Sequence, residues 1–321
     1  MVLATTNEFA ANTEPPVSGY IVVRHGYVVF EEYYRGFSAS SYHSVNSVTK
    51  SIISALIGIA LRDGLLGSVD QRLTDLFPLH TTDSRITLRH IMSMTAGFSE
   101  DSLNLQRVID SDDPLGVLLS RPIAHTPGSF YFYDDGAVHL LSILLSRLTG
   151  VSAAEFALEK LFKPLGVWRQ PADQNTKHRF HTQPGWPTTG LLWKADRVGH
   201  NMGSYGLHLT LREMAKFGYL YLNGGRWEDR TLVPHEYVEE STRTQNEGGR
   251  PMGAPPGPPN PYALLWWKSL NNPAQFSADG FGGQQIMILP ERDMVIAMAT
   301  STRHSPWMTP YRIFIPAIRD G

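Results

Sequence analysis

The sequence predicts an α/β chain of the α+β kind: an antiparallel sheet built from both termini, flanked by helices, with a mostly helical insertion between. Strand-like runs lie near both ends of the 321 residues, helix-like patterns fill the middle, and one long apolar segment begins at Ser47. On this pattern residues 1–60 and 205–321 form a discontinuous sheet domain, residues 61–204 a mostly helical one, and a site is expected between them.

Taken in order, "YIVVRHGYVVFEEYY" (Tyr20–Tyr34) is two β-branched and aromatic runs meeting near Gly26, which reads as a hairpin. Ser47–Leu66 has helix length and is apolar nearly all round, as a centrally buried helix requires, with Gly64 and Gly67 as stop signals. "ITLRHIMSMTAG", "AVHLLSILLSRLTG" and "AAEFALEKLFKPLG" each read as a helix ending at glycine. Thr210 and Glu213 have the spacing of a capping box that opens "LREMAKFGYLYL". Residues 247–261 are rich in Pro and Gly and read as a loop. "YALLWWKSL", "QQIMILP" and "DMVIAMAT" read as three strands, and a closing helix is expected after Pro306.

Composition removes several classes of function. A formal net charge of −2 offers no basic field for nucleic acid and no polybasic membrane patch. The longest apolar run, Ser51–Leu61, is too short to span a bilayer. With no cysteine, disulfides, thiolate metal sites and cysteine nucleophiles are all excluded. The first residues lack a basic n-region, so the chain as given is expected to be cytoplasmic, or exported if a signal has been removed. His178 and His181 lack the H-E-x-x-H interval, and Gly203-Ser204-Tyr205-Gly206 lacks the spacing of a nucleophile elbow. No cofactor and no metal are expected.

The chemistry concentrates at "YHSVNSVTK", Tyr42–Lys50. On a helix Ser47 and Lys50 are i,i+3 neighbours, roughly 5–6 Å apart at Cβ. A serine becomes a useful nucleophile once a neighbour accepts its proton. A free lysine, with a pKa of about 10.4, needs roughly 4–5 kcal/mol of help from burial or charge to act as that base near neutrality. The helix N-terminus adds N–H groups where an oxyanion would develop. Four residues of this kind also arise by chance, and Ser47 could be a plain N-cap.

The wider context resembles the serine β-lactamase and penicillin-binding-protein-like hydrolases. It is most similar to the branch holding class C β-lactamases, DD-peptidases, family VIII esterases and 6-aminohexanoate-dimer hydrolase. The resemblance runs from about Gly19 to Ser301 in the family's order, through "SVTKSIISALIGIALRDGLLGSVDQRL", "IMSMTAGF", "PGSFYFYDDGAVHLLSILLSRLTG", "GSYGLHLTLREMAKFGYLYLNGG" and "GFGGQQIMILPERDMVIAMAT". It implies Ser47 as nucleophile, with Lys50 and Tyr133 sharing the proton as general base and acid. It also implies oxyanion donors in the Ser47 and Phe281 N–H groups, with Gly280 on the adjoining strand. The implied partner is a small-molecule ester or amide.

Two departures qualify what is implied. Ala278 stands where the family's third motif carries a cation, and Asp279 beside it would repel a carboxylate, so β-lactamase and DD-carboxypeptidase activity should be weak. Asp135 replaces the Asn of the Tyr-x-Asn motif. It would either favour the charged form of Lys50 and leave Tyr133 as base, or bind a cationic substrate group. Trp186, Trp193, Trp266 and Trp267 are candidates to line the cleft. The alternatives are a β-lactamase or DD-peptidase, an acyltransferase on the same site, and an inactive ligand-binding relative.

Overall fold

The computed structural model describes residues 17–80, 82–167, 170–171, 190–249 and 258–300. Strand β1 (Val17–Arg24) turns through His25 and Gly26, both at positive φ, into β2 (Tyr27–Tyr33), which is the expected hairpin. The short β3 (His43–Ser44) then leads into helix α1 (Val48–Arg62). Helix α2 (Asp135–Thr149) is capped by Asp134, which accepts the Ala137 N–H at 2.9 Å, and stops at Gly150 in the left-handed region. Strand β4 (His208–Leu209) pairs with β3 and precedes α3 (Leu211–Leu222), whose Thr210 and Glu213 form the capping box.

The C-terminal half supplies β5 (Asn246–Gly249), β6 (Asn260–Tyr262), β7 (Trp267–Lys268), β8 (Phe276–Gly280), β9 (Gln284–Leu289) and β10 (Met294–Thr300). With β1 and β2 these make one antiparallel eight-stranded sheet in the order β2-β1-β10-β9-β8-β7-β6-β5. The two ends of the described chain therefore meet through β1 and β10, with Val22 opposite Ile296. Alternation along these strands makes two apolar faces. One carries Ile21, Val23, Ile286, Ile288, Val295 and Ala297 in the main core, and the other Tyr20, Val22, Met287, Ile296 and Met298.

Helix α1 is buried along nearly its whole length and packs between α2 and strands β8 and β9, as its apolar circumference requires. Helix α3 covers β1, β9 and β10. Its approach is close because Gly218 faces the sheet: a Cβ there would sit 2.5 Å from Val295 Cγ1 and 2.7 Å from Ile286 Cγ2. Among the described residues no single helix is long and apolar enough to cross a membrane.

Four elements differ from the sequence expectation. "YALLWWKSL" is not one strand, because the chain folds back between β6 and β7 with Leu265 at φ 65 and the Ala263 N–H on the Trp266 carbonyl. The freed carbonyls of Leu264 and Leu265 accept from Ser54 Oγ (2.8 Å) and Ser51 Oγ (2.7 Å) of α1, which fixes the bend. "ITLRHIMSMTAG" is helical only over Leu88–Met92, since Met94 at φ 62 ends it before the glycine. The run after Ala153 changes from α to π geometry at Leu158–Phe162. Residues 246–249 pair with β6 instead of joining the loop, while 250–257 and the helix expected after Pro306 lie outside the described residues.

Two outcomes follow from the packing. Gly218→Ala gains about 1 kcal/mol of helix propensity but forces stiff β-branched neighbours apart at a cost of about 1–3 kcal/mol, so it should lower stability in chemical denaturation. His43 is fully buried, stacked on Phe37, and neither ring nitrogen has a hydrogen-bond partner among the described residues. Burial, then the nearby His208, hold it down to about 3. The unfolded chain thus binds the extra proton first, and unfolding free energy should fall as pH drops from about 6.5 towards about 3, by up to about 1.4 kcal/mol per pH unit. His43→Phe should flatten that dependence in denaturation series at several pH values.

Candidate active site

The site is built at the N-terminal turn of α1. Asn46 adopts φ 48, a left-handed conformation that asparagine tolerates better than most residues, and Ser47 follows at the N-cap with φ −69 and ψ −7. The Ser47 side chain makes no capping bond. Its Oγ instead accepts a hydrogen bond from Lys50 Nζ at 3.0 Å, which the i,i+3 spacing makes possible.

Lys50 is only 1% exposed. Its Nζ also donates to the Ser204 carbonyl at 2.9 Å and pairs with Asp135 Oδ1 at 2.6 Å. An ammonium has three N–H donors, and here three acceptors meet it. Nζ lies 4.6 Å from the centroid of the Tyr133 ring, a cation–π contact. Burial alone would depress the lysine, but Asp135 and Tyr133 together outweigh it and hold the ammonium above its ordinary value.

Tyr133 closes the group. Its ring stacks on Trp267 at 5.8 Å and 17° and meets Tyr262 edge-on at 6.3 Å, with the Lys50 ammonium over its face. Burial pushes the phenol up; Lys50 opposes this and Asp135 reinforces it, with a net upward shift. The next two residues divide the work of the helix start. Asp134, buried, caps α2 and takes two hydrogen bonds from Arg121 Nη1 at 3.0 and 2.8 Å. Asp135 is thereby left to turn to Lys50, with its side chain 37% exposed.

The end of β8 lies directly against the Ser47 turn. A Cβ at Gly280 would fall 2.2 Å from the Val45 carbonyl oxygen, so only glycine fits there. Asn46 Nδ2 donates to the Phe281 carbonyl at 2.7 Å. The main-chain N–H groups of Ser47 and Phe281 have no acceptor among the described residues.

The structure thus gathers Ser47, Lys50, Tyr133, Asp135, Gly280 and Phe281. Asp279 is not joined to them. It is buried, with Oδ1 accepting from Gln285 Nε2 at 2.9 Å, and burial raises its carboxyl to about 6 against the pull of Gln285 and Ser277. Trp266 is a correction: it is fully buried in the core on Phe217, Tyr221 and Phe276, because the bend before β7 directs it inward and leaves Trp267 on Tyr133. Trp193 is buried too, with Nε1 on the Met202 carbonyl. Trp186 lies outside the described residues. Sequence reasoning missed Asn46, Arg121, Asp134 and Ser204. Only the doubled aspartate before a helical run was a readable signal. A cavity of about 850 Å³ beside Asp63, Phe156 and Lys160 contains none of the site residues.

An antiparallel sheet with flanking helices and a Ser-x-x-Lys turn against its strand edge define the β-lactamase/transpeptidase-like fold. Residues 9–314 match the family described as Beta-lactamase, and the chain belongs to that family of serine hydrolases. It is 22% identical over 319 residues to the 6-aminohexanoate-dimer hydrolase of Paenarthrobacter ureafaciens, spanning 91% of this chain and 75% of that protein. Among solved structures it resembles a penicillin-binding protein homologue from Caulobacter crescentus, with a TM-score of 0.74, 17% identity, and 95% and 92% of the two chains covered. It also resembles a family VIII carboxylesterase, with a TM-score of 0.73, 15% identity, and 95% and 91% covered.

Proposed function

We propose that this protein hydrolyses a carboxylic ester or amide through an acyl-Ser47 intermediate. The observation that carries this reading is the Ser47 hydroxyl at 3.0 Å from a buried Lys50 at a helix N-terminus, with the Tyr133 ring against the same ammonium. Ser47 Oγ attacks the carbonyl carbon, its proton passes into the Lys50–Tyr133 pair, and the carbonyl oxygen becomes the oxyanion. The unused N–H groups of Ser47 and Phe281 receive that charge, a contribution of roughly 3–4 kcal/mol in comparable sites. The bond to the leaving alcohol or amine then breaks, and the stored proton goes to that group. Water repeats the sequence on the acyl-enzyme and regenerates Ser47.

Asp135 sets the pH at which this works. Lys50 and Tyr133 are both raised, so the deprotonated form of the pair is scarce at neutral pH and kcat/KM should climb through the alkaline range. Asp135 raises both groups, so Asp135→Asn should move the acid limb to lower pH. A pH–rate profile of both proteins measures this, and an unmoved midpoint would sink the role given to Asp135. Ala278, 1% exposed, supplies no cation for a substrate carboxylate, which favours esters and amides over β-lactams.

The nucleophile is tested by peptide mass after incubation with an activated phosphonate. The reading expects one stoichiometric adduct on the Ser47 peptide, lost in Ser47→Ala. An adduct on another serine, or none, would refute it.

A further inference from the structure

We infer that Asn46 is the positioning residue of the oxyanion site, clamping the two N–H donors into one cradle. The inference rests on the acyl-Ser47 reading above and concerns a residue to which that mechanism gives no task. The two donors belong to segments far apart in sequence: Ser47 opens α1, and Phe281 follows β8. A cradle needs both held at a fixed separation, since a displaced donor gives little of the stabilisation of an aligned one.

Among the described residues, Asn46 supplies the side-chain hydrogen bond that joins the Ser47 turn to Phe281. Its Nδ2 donates to the Phe281 carbonyl at 2.7 Å, and its Oδ1 accepts from Ser44 Oγ at 3.2 Å, so the amide is held at both ends and its orientation is set. Beside it, the approach of Gly280 to the Val45 carbonyl is steric. It limits how near the strand end comes but supplies no attraction. Asn46 is also 5% exposed, and its φ of 48 turns the chain so that the Ser47 N–H is left without an internal acceptor among the described residues. One residue thus does two things: its backbone frees the first donor, and its side chain anchors the peptide next to the second. Asparagine suits both tasks, because it tolerates the left-handed region and carries a donor and an acceptor on one short amide.

Two variants separate the tasks. Asn46→Gly keeps access to positive φ and deletes the clamp. Asn46→Asp keeps the shape and the bond from Ser44 but offers the Phe281 carbonyl an acceptor where a donor stood. The measurements are kcat and KM on an activated ester, the inhibition constant of a boronic acid whose serine adduct is tetrahedral, and the melting temperature. Both variants should lose about 10- to 100-fold in kcat, somewhat less than deletion of a donor costs elsewhere, with KM changed by less than about threefold. Boronate affinity should fall in parallel with kcat. Phosphonate should still label Ser47 in both, more slowly.

A folded Asn46→Gly with wild-type kcat and boronate affinity overturns the inference, as does a rise in KM at constant kcat. If both variants are unfolded at the assay temperature, Asn46 serves stability and the inference is likewise overturned. If the wild-type protein itself carries no phosphonate on Ser47, the hydrolase reading has failed first, which this design distinguishes from failure of the clamp.

Discussion

A lysine ammonium out of water is the constraint on which the rest of this molecule depends. Moving such an ion into a protein interior costs several kcal/mol even after relaxation, unless acceptors are supplied at good geometry. Lys50 receives three, from Ser47 one turn away, from Asp135 at the start of α2, and from the Ser204 carbonyl. Three separate stretches of chain must therefore arrive at one point. The core helix α1 carries a single buried charge, and that charge is satisfied at its first turn.

Each acceptor is itself held. Asp135 is placed because Asp134 has taken the cap and the ion pair with Arg121, which pins the first turn of α2 to the helical part of the molecule. The Ser204 carbonyl sits in a segment fixed by a buried histidine. His139 accepts the Gly203 N–H on Nδ1 at 3.2 Å and bonds through Nε2 to Asp196 Oδ2 at 3.1 Å. Asp196 stays ionised: burial opposes the charge, but His139 and His200 hold its carboxyl far below the usual range. The ring orientation and tautomer of His139 follow from these two bonds. These neighbours touch neither Ser47 nor Tyr133, yet they set where Lys50 can rest.

The aromatic side of the site has a similar economy of placement. Tyr133 needs a rigid ring position if its hydroxyl is to serve both Ser47 and Lys50, and Trp267 and Tyr262 provide it from β7 and β6. The tight bend between those strands is anchored by two serines of α1, the same helix that Ser47 opens. Ser47, Lys50 and the aromatic wall thus share one mechanical reference.

What the sequence determined by itself is local. The spacing of Ser47 and Lys50 brings their side chains to one face because a helix repeats every 3.6 residues, and the β1–β2 hairpin and the buried character of α1 follow from the same kind of periodicity. The glycine at 280 and the tyrosine at 133 were legible through resemblance of their surroundings to a family. What only the tertiary structure decided is which of two possible roles each polar residue took. Asp135 faces Lys50 because Asp134 caps the helix, and Trp267 lies against Tyr133 while Trp266 goes into the core because the chain bends at Leu265. Asn46 reaches Phe281 across 235 residues, and Lys50 reaches Ser204 across 154. No periodicity encodes such contacts, because they arise when burial forces every polar group to find a partner wherever the packed chain presents one.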